Sequence, residues 1–187
     1  MLPTANEVTA ALQGAIRLAR LDAAGLNFFD RTIGGFWRSF FAAVLIAPVR
    51  IFLLMTTREL PDDVGSLRAV AVETISYVIG WLIFPFVMLF VVDMLNRRAR
   101  YFDYLVPYNW SNIPQAMLVL LATGVASLVP SLGGLLLVVV VISTLIYEWF
   151  IAKTGLMISS TAATALALFD FALGLSLNEI TKALLQS

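Results

Sequence analysis

The chain reads as an all-α protein, a polytopic transmembrane helical bundle of about five spans preceded by an N-terminal amphipathic helix. Three observations carry this reading. Of 187 residues, 60% are hydrophobic and only 13% charged, with a mean hydropathy of +0.92, whereas soluble domains carry about 25% charged residues. Residues 104–147 form a run of 44 without Asp, Glu, Lys or Arg, and a helix in water must offer solvent a polar face. No long segment alternates with the two-residue period of a strand, and backbone groups in lipid must bond internally, which helices do.

The elements follow in order. Thr4 and Glu7 have the spacing of a capping box, in which each side chain satisfies an orphan N–H at a helix start. Val8, Leu12, Ala15, Ile16 and Ala19 then recur at helical spacing, while Gln13, Arg17 and Arg20 take other faces. This predicts an amphipathic helix over about residues 5–24, lying on the membrane surface or docked against the bundle. Gly25 and Gly34-Gly35 punctuate the route to the first span, so residues 1–34 are read as a cytoplasmic N-terminal segment and 35–187 as the five-span domain.

A crossing takes about 20 apolar residues. Span one is predicted near Phe36–Met55 and span two near Ala69–Met94, joined by a polar link over 56–68 with Glu59, Asp62 and Asp63. After Asn96-Arg97-Arg98-Ala99-Arg100, the uncharged run is too long for one crossing, since at 1.5 Å per residue it would reach about 66 Å. Pro130-Ser131-Leu132-Gly133-Gly134 divides it. Spans three and four are thus expected near Ile113–Val129 and Leu132–Ile151, and span five near Leu156–Leu177.

Eight basic residues (Arg17, Arg20, Arg31, Arg38, Arg97, Arg98, Arg100 and Lys153) fall on one side of this layout. Three (Arg58, Arg68 and Lys182) fall on the other. The positive-inside rule then puts the N-terminus in the cytoplasm and the C-terminus outside. Trp37, Trp110, Trp149, Tyr101, Tyr104 and Tyr108 cluster near the same boundary, where an aromatic belt is expected.

Charges within spans are costly unless paired or hydrated. Arg50 and Asp170 lie past the middle of spans one and five in the same leaflet, and Glu73 opens span two on that side. Arg50 could pair with Asp170 or with Glu73, either as a structural ion pair or as part of a polar pathway. Asp93 and Glu148 are read as interfacial charges near Arg97 and Lys153. Pro48 and Pro85 are candidates to kink their spans.

The sequence contains no His and no Cys, which removes Ser–His pairs, thiolate chemistry and the common zinc sites. No phosphate-binding glycine loop is present, and Asp93 and Asp170 are expected in opposite leaflets, unlike an aspartyl dyad. No enzyme, cofactor or metal site is expected, and with charges balanced at twelve each no nucleic-acid surface either.

The pattern Phe29-Asp30-Arg31…Phe36-Trp37-Arg38-Ser39-Phe40, then Arg100-Tyr101-Phe102…Tyr108-Asn109-Trp110, then Tyr147-Glu148-Trp149-Phe150…Gly155-Leu156, resembles bacterial members of the Yip (Ypt-interacting protein) family over about residues 29–180. The resemblance implies five spans and a cytoplasmic N-terminus. The D-L-Y-G-P-like and G-Y-x-x-x-P-like motifs of eukaryotic members are missing, so the Rab-type GTPase binding of those members is not implied.

The expected function is that of a non-enzymatic protein of the bacterial inner membrane, acting through contacts with lipid, other membrane proteins or itself. Its contact surface would be the N-terminal helix and the Asn96–Pro114 link, with Arg97, Arg98, Arg100 and Trp110. The alternative is a small transporter or channel with a polar intramembrane site around Arg50, Glu73 and Asp170.

Overall fold

The computed structural model describes residues 2–57 and 66–186. The acidic stretch expected in the first polar link falls on residues 58–65, outside the described residues. Seven helices follow in chain order: α1 (Ala5–Ala19), α2 (Ile33–Ser39), α3 (Phe41–Thr57), α4 (Ser66–Met94), α5 (Tyr101–Leu128), α6 (Gly133–Leu156) and α7 (Ser160–Gln186). Five segments are long and apolar enough to cross a membrane, α2 and α3 together forming the first. The chain is a multi-pass membrane protein. With five crossings, α1 and the C-terminus lie at opposite ends of the bundle.

Thr4 caps α1, its Oγ1 accepting from the Glu7 N–H at 3.2 Å. Glu7 does not close the box: its carboxylate takes the Arg38 Nε–H instead, at 2.8 and 2.9 Å from its two oxygens. The buried face of α1 is Ala11, Gly14, Ala15 and Leu18, rotated from the expected stripe so that Ile16 and Ala19 face outward. Small residues win this face because the chain folds back on it. A 3-10 turn over Ala23–Phe28 crosses α1 so closely that a Cβ on Gly14 would sit 2.8 Å from the Gly25 carbonyl oxygen, and one on Gly25 2.6 Å from that of Gly14. The helix is docked on the bundle, where the Tyr147 hydroxyl donates to the Ala15 carbonyl at 2.7 Å.

α5 is the hub, packed against α1, α2, α3, α4 and α6, while α7 closes against α4 and α6. This corrects the expected third span. Residues 101–112, read as part of a surface link, are the first three turns of α5, with Tyr101, Tyr104, Leu105, Val106, Asn109, Trp110 and Ser111 all buried. Their aromatic and polar composition is low in hydropathy because protein, not lipid, surrounds them. Pro107 and Pro114 sit inside the helix, as proline can in a span whose neighbours support the backbone. The second half of the chain shifts too: α6 runs on to Leu156 and α7 to Gln186, joined by a tight link at Met157 with φ 52° and ψ 54°.

Packing is concentrated at the α1 end. Leu18, Phe84, Met88, Tyr104, Leu105, Trp110, Ile151 and Leu156 are each at most 2% exposed and belong to one cluster. Toward the opposite end, Leu121, Leu128, Leu135 and Leu137 face outward, the surface that lipid tails cover. Trp110, Tyr101 and Tyr104 therefore leave the expected aromatic belt for the core, and Trp37 with the partly exposed Trp149 remains at the surface.

Candidate functional site

Beyond the aromatic core, all five spans wall a partly open cavity of about 460 Å³. α3 contributes Ile46 and Arg50; α4 contributes Ser76, Tyr77, Gly80 and Trp81; α5 contributes Tyr108, Asn112, Gln115, Ala116 and Val119. Thr144 of α6 and Gly174, Leu177, Asn178 and Thr181 of α7 complete it. On α3, α4, α5 and α7 these positions recur at helical spacing, so one stripe of each helix, polar and apolar by turns, faces the cavity. On α5 the positions are 108, 112, 115, 116 and 119, and on α7 they are 174, 177, 178 and 181.

The geometry separates the charges that sequence placed together. Arg50 pairs with Glu73, Nη2 to Oε2 at 3.3 Å, with the Glu73 side chain 15% exposed and that of Arg50 41%. Asp170 is not part of this pair: its Oδ2 accepts from the Tyr108 hydroxyl at 2.8 Å. Tyr108 lines the cavity and so joins it to Asp170. The charge on the cavity wall is thus balanced, and the remaining polar groups are amides and hydroxyls. Some are committed: the Tyr77 hydroxyl donates to the Ala43 carbonyl at 2.6 Å, and Thr181 Oγ1 lies 2.8 Å from Ser76 Oγ. Asn112 donates back to the Tyr108 carbonyl at 3.0 Å, leaving its amide oxygen to the cavity. The Asn178 amide bonds to no described residue. Asn178 is only partly buried and stands beside the exposed Glu179–Lys182 pair, 3.2 Å apart, so its amide is free to bond whatever enters the cavity.

Toward the α1 end the cavity is stopped by rings. Phe84 stacks on Tyr108 at 4.6 Å between centroids and meets Tyr104 edge-on at 6.2 Å, with Trp110 and Leu105 behind them in the core.

Glu148, expected at the membrane boundary beside Lys153, is 9% exposed and lies within electrostatic reach of Asp170. The correction follows from helix ends. Glu148 is eight residues before the end of α6 and Asp170 ten after the start of α7, depths of about 12 and 15 Å at 1.5 Å per residue. Ending α6 at Ile151 had put them in different leaflets. Lys153 instead sits over the Trp149 ring at 4.8 Å.

The residues expected to form a contact surface divide. Arg98 is at the surface, paired with Asp93 at 3.4 Å, and Arg97 reaches the Met157 carbonyl at 3.4 Å. Arg100 and Arg31 both bind Asp103, at 3.1 and 3.3 Å, fastening the segment after α1 to α5. Trp110 is buried and offers no surface. Among the described residues, no three His, Cys, Asp or Glu side chains gather as a metal-binding group.

Comparison of the chain with protein-family models, with curated proteins and with solved structures gives no match.

Proposed function

We propose that this protein is a small carrier, binding a hydrogen-bonding solute in the cavity between its spans and passing it across the membrane. The observation that supports this most is a cavity walled by all five spans, in which Arg50, Asn112, Gln115 and Asn178 place polar groups among apolar ones. The volume suits a small molecule, since ligand cavities run to about 300–1,000 Å³. A wall whose one cation is already neutralised by Glu73 favours a neutral or zwitterionic solute. The aromatic stop toward α1 fits a carrier open to one side; exchange to the other would require Phe84, Tyr104 and Tyr108 to part. Absence of His and Cys supports a non-enzymatic role.

The Yip-like reading remains part of the proposal on the sequence resemblance alone, and the residues that carry the resemblance pack together in this fold. Arg38 bonds Asp30, Phe36 packs on Tyr101 and Phe102, and Gly155 lies so close to α5 that a Cβ there would sit 2.9 Å from the Asp103 carbonyl oxygen. The proposal keeps a bacterial inner membrane as the location, and the distribution of Lys and Arg supports a cytoplasmic α1 end. Action through protein contacts is the second reading, favoured by the exposed Arg98 and Trp37 at that end.

Gly174 offers a direct test, because it lines the cavity and a Cβ there meets nothing within 4 Å. Gly174→Phe should plug the cavity without disturbing the fold. In proteoliposomes loaded from a panel of small neutral and zwitterionic solutes, at least one should equilibrate faster with the wild type than with G174F. Gly124→Phe, at an exposed position where a Cβ is equally unopposed, should behave as wild type. Equal leakage from wild-type, G174F and protein-free vesicles for every solute would defeat the carrier reading.

A further inference from the structure

Two carboxylates, Glu148 and Asp170, are held within the bundle with no cation beside them among the described residues. Glu148 makes no hydrogen bond or ion pair with any described residue, and Asp170 has the Tyr108 hydroxyl alone. The groups facing them are few. α5 presents Tyr104 and Tyr108, α6 presents Glu148 and α7 presents Asp170. α4 meets Tyr108 with the Phe84 ring, and α1 reaches α6 through its Ala15 backbone, so neither adds a charge. Two ionised carboxylates in such surroundings repel each other and forgo hydration, whereas one proton between them ends the repulsion and leaves a single charge to be solvated.

We propose that Glu148 and Asp170 together hold one exchangeable proton, and that the Tyr108 hydroxyl is the gate between that proton and the cavity. The proposal rests on the cavity being a solute site, and it names the coupling ion of that site. When Asp170 is ionised, Tyr108 donates to its Oδ2, as observed. When the carboxyl takes up a proton from a cavity water, the tyrosine no longer needs to point its own hydrogen there, and the hydroxyl is released to bond a solute or water. In reverse, the carboxyl returns its proton to a cavity water and Tyr108 turns back. No other reactant is consumed. Solute occupancy and protonation thereby compete for, or cooperate through, one hydroxyl that touches both.

The test is infrared difference spectroscopy on the full chain in lipid nanodiscs, titrated from acid to alkaline pH in potassium buffer without added solute. The wild type should show a protonated-carboxyl C=O band at neutral pH that disappears only as the sample is made alkaline. Glu148→Gln and Asp170→Asn should each shift or weaken that band, and the double variant should abolish it. Tyr108→Phe, which keeps the ring stacked on Phe84, should retain the band and let it persist to higher pH, because the ionised Asp170 loses its hydrogen bond. A wild-type spectrum that matches the double variant at neutral pH would overturn the proposal. So would a band that sodium displaces in preference to potassium, which would make the pair a metal-cation site. The wild-type titration stands even if an amide variant does not fold. It also needs no transport, so an intact carboxyl band with no solute movement would sink the carrier reading and leave the proton site standing.

Discussion

The two ends of the bundle solve different problems with the same five helices. At the α1 end, side chains interlock around α5: Leu105, Trp110, Ile151 and Leu156 are sealed, and tyrosines spend their hydroxyls inward, as Tyr101 does on the Pro85 carbonyl at 2.9 Å. In the opposite half the helices meet through fewer buried groups, and the space between them is lined by Arg50, Asn112, Gln115 and Asn178. Hydrophobicity alone cannot drive helices together in lipid, so association depends on packing and on polar contacts. The first end uses packing and the second uses polar groups. The difference teaches that the bundle is tightly packed at one end and encloses a partly polar space toward the other.

That contrast is broken most sharply by one substitution made twice. Leu105→Ala, in the sealed end, should destabilise by about 2–5 kcal/mol, the usual cost of a leucine-sized cavity. Leu137→Ala, 65% exposed in the opposite half, should change little, because lipid fills the space. Thermal unfolding in one detergent measures both, and equal losses would erase the distinction between the two ends.

The N-terminal segment belongs to the closed end through Arg38, whose guanidinium bridges Glu7 and Asp30. Glu7→Gln should loosen α1 without unfolding the spans. Limited proteolysis is the measurement: cleavage between residues 19 and 33 should rise several-fold, while fragments from the spans stay constant.

A smaller effect sharpens the description of the helix ends. Met157 holds φ 52° after α6, a conformation costing a residue with a Cβ about 1–2 kcal/mol. Met157→Gly should therefore raise the unfolding temperature, offset in part by the greater freedom of glycine when unfolded. The smallest effect belongs to the open half. Thr181→Val removes the contact to Ser76, worth about 0.6 kcal/mol by the average for such bonds within membranes, and a large loss there would mean that the open half is more tightly held than its packing implies.

How much of this could be read from the sequence depends on what surrounds each helix. Spans two and four face lipid along much of their length, and their apolar runs announced them. The first half of α5 did not, because Tyr104, Asn109 and Trp110 are wrapped by other helices and carry no lipid-facing signature. The same cause displaced Trp110 from the expected surface. The Arg50–Glu73 contact was one of two that spacing allowed, while the Tyr108–Asp170 bond depended on the depth of α5, which the sequence had placed outside the membrane. Glu148 was misplaced by the end of a single helix. A polar stripe was visible in principle, since Asn112 and Gln115, and Asn178 and Thr181, stand three residues apart in otherwise apolar spans. Only the fold shows that the stripes face one another.

The central claim is that water enters between the spans from one end and stops at the aromatic core. Because the chain has no native cysteine, single cysteines along α5 and α7 can be probed directly with a membrane-impermeant thiol reagent, applied from each side of sealed vesicles in turn. Cysteines at Gln115 and Asn178 should react from one side only, and cysteines at Leu105 and Val106 from neither. Reaction at Leu105 comparable to that at Gln115, or no reaction at Gln115 and Asn178 from either side in a folded protein, would contradict it.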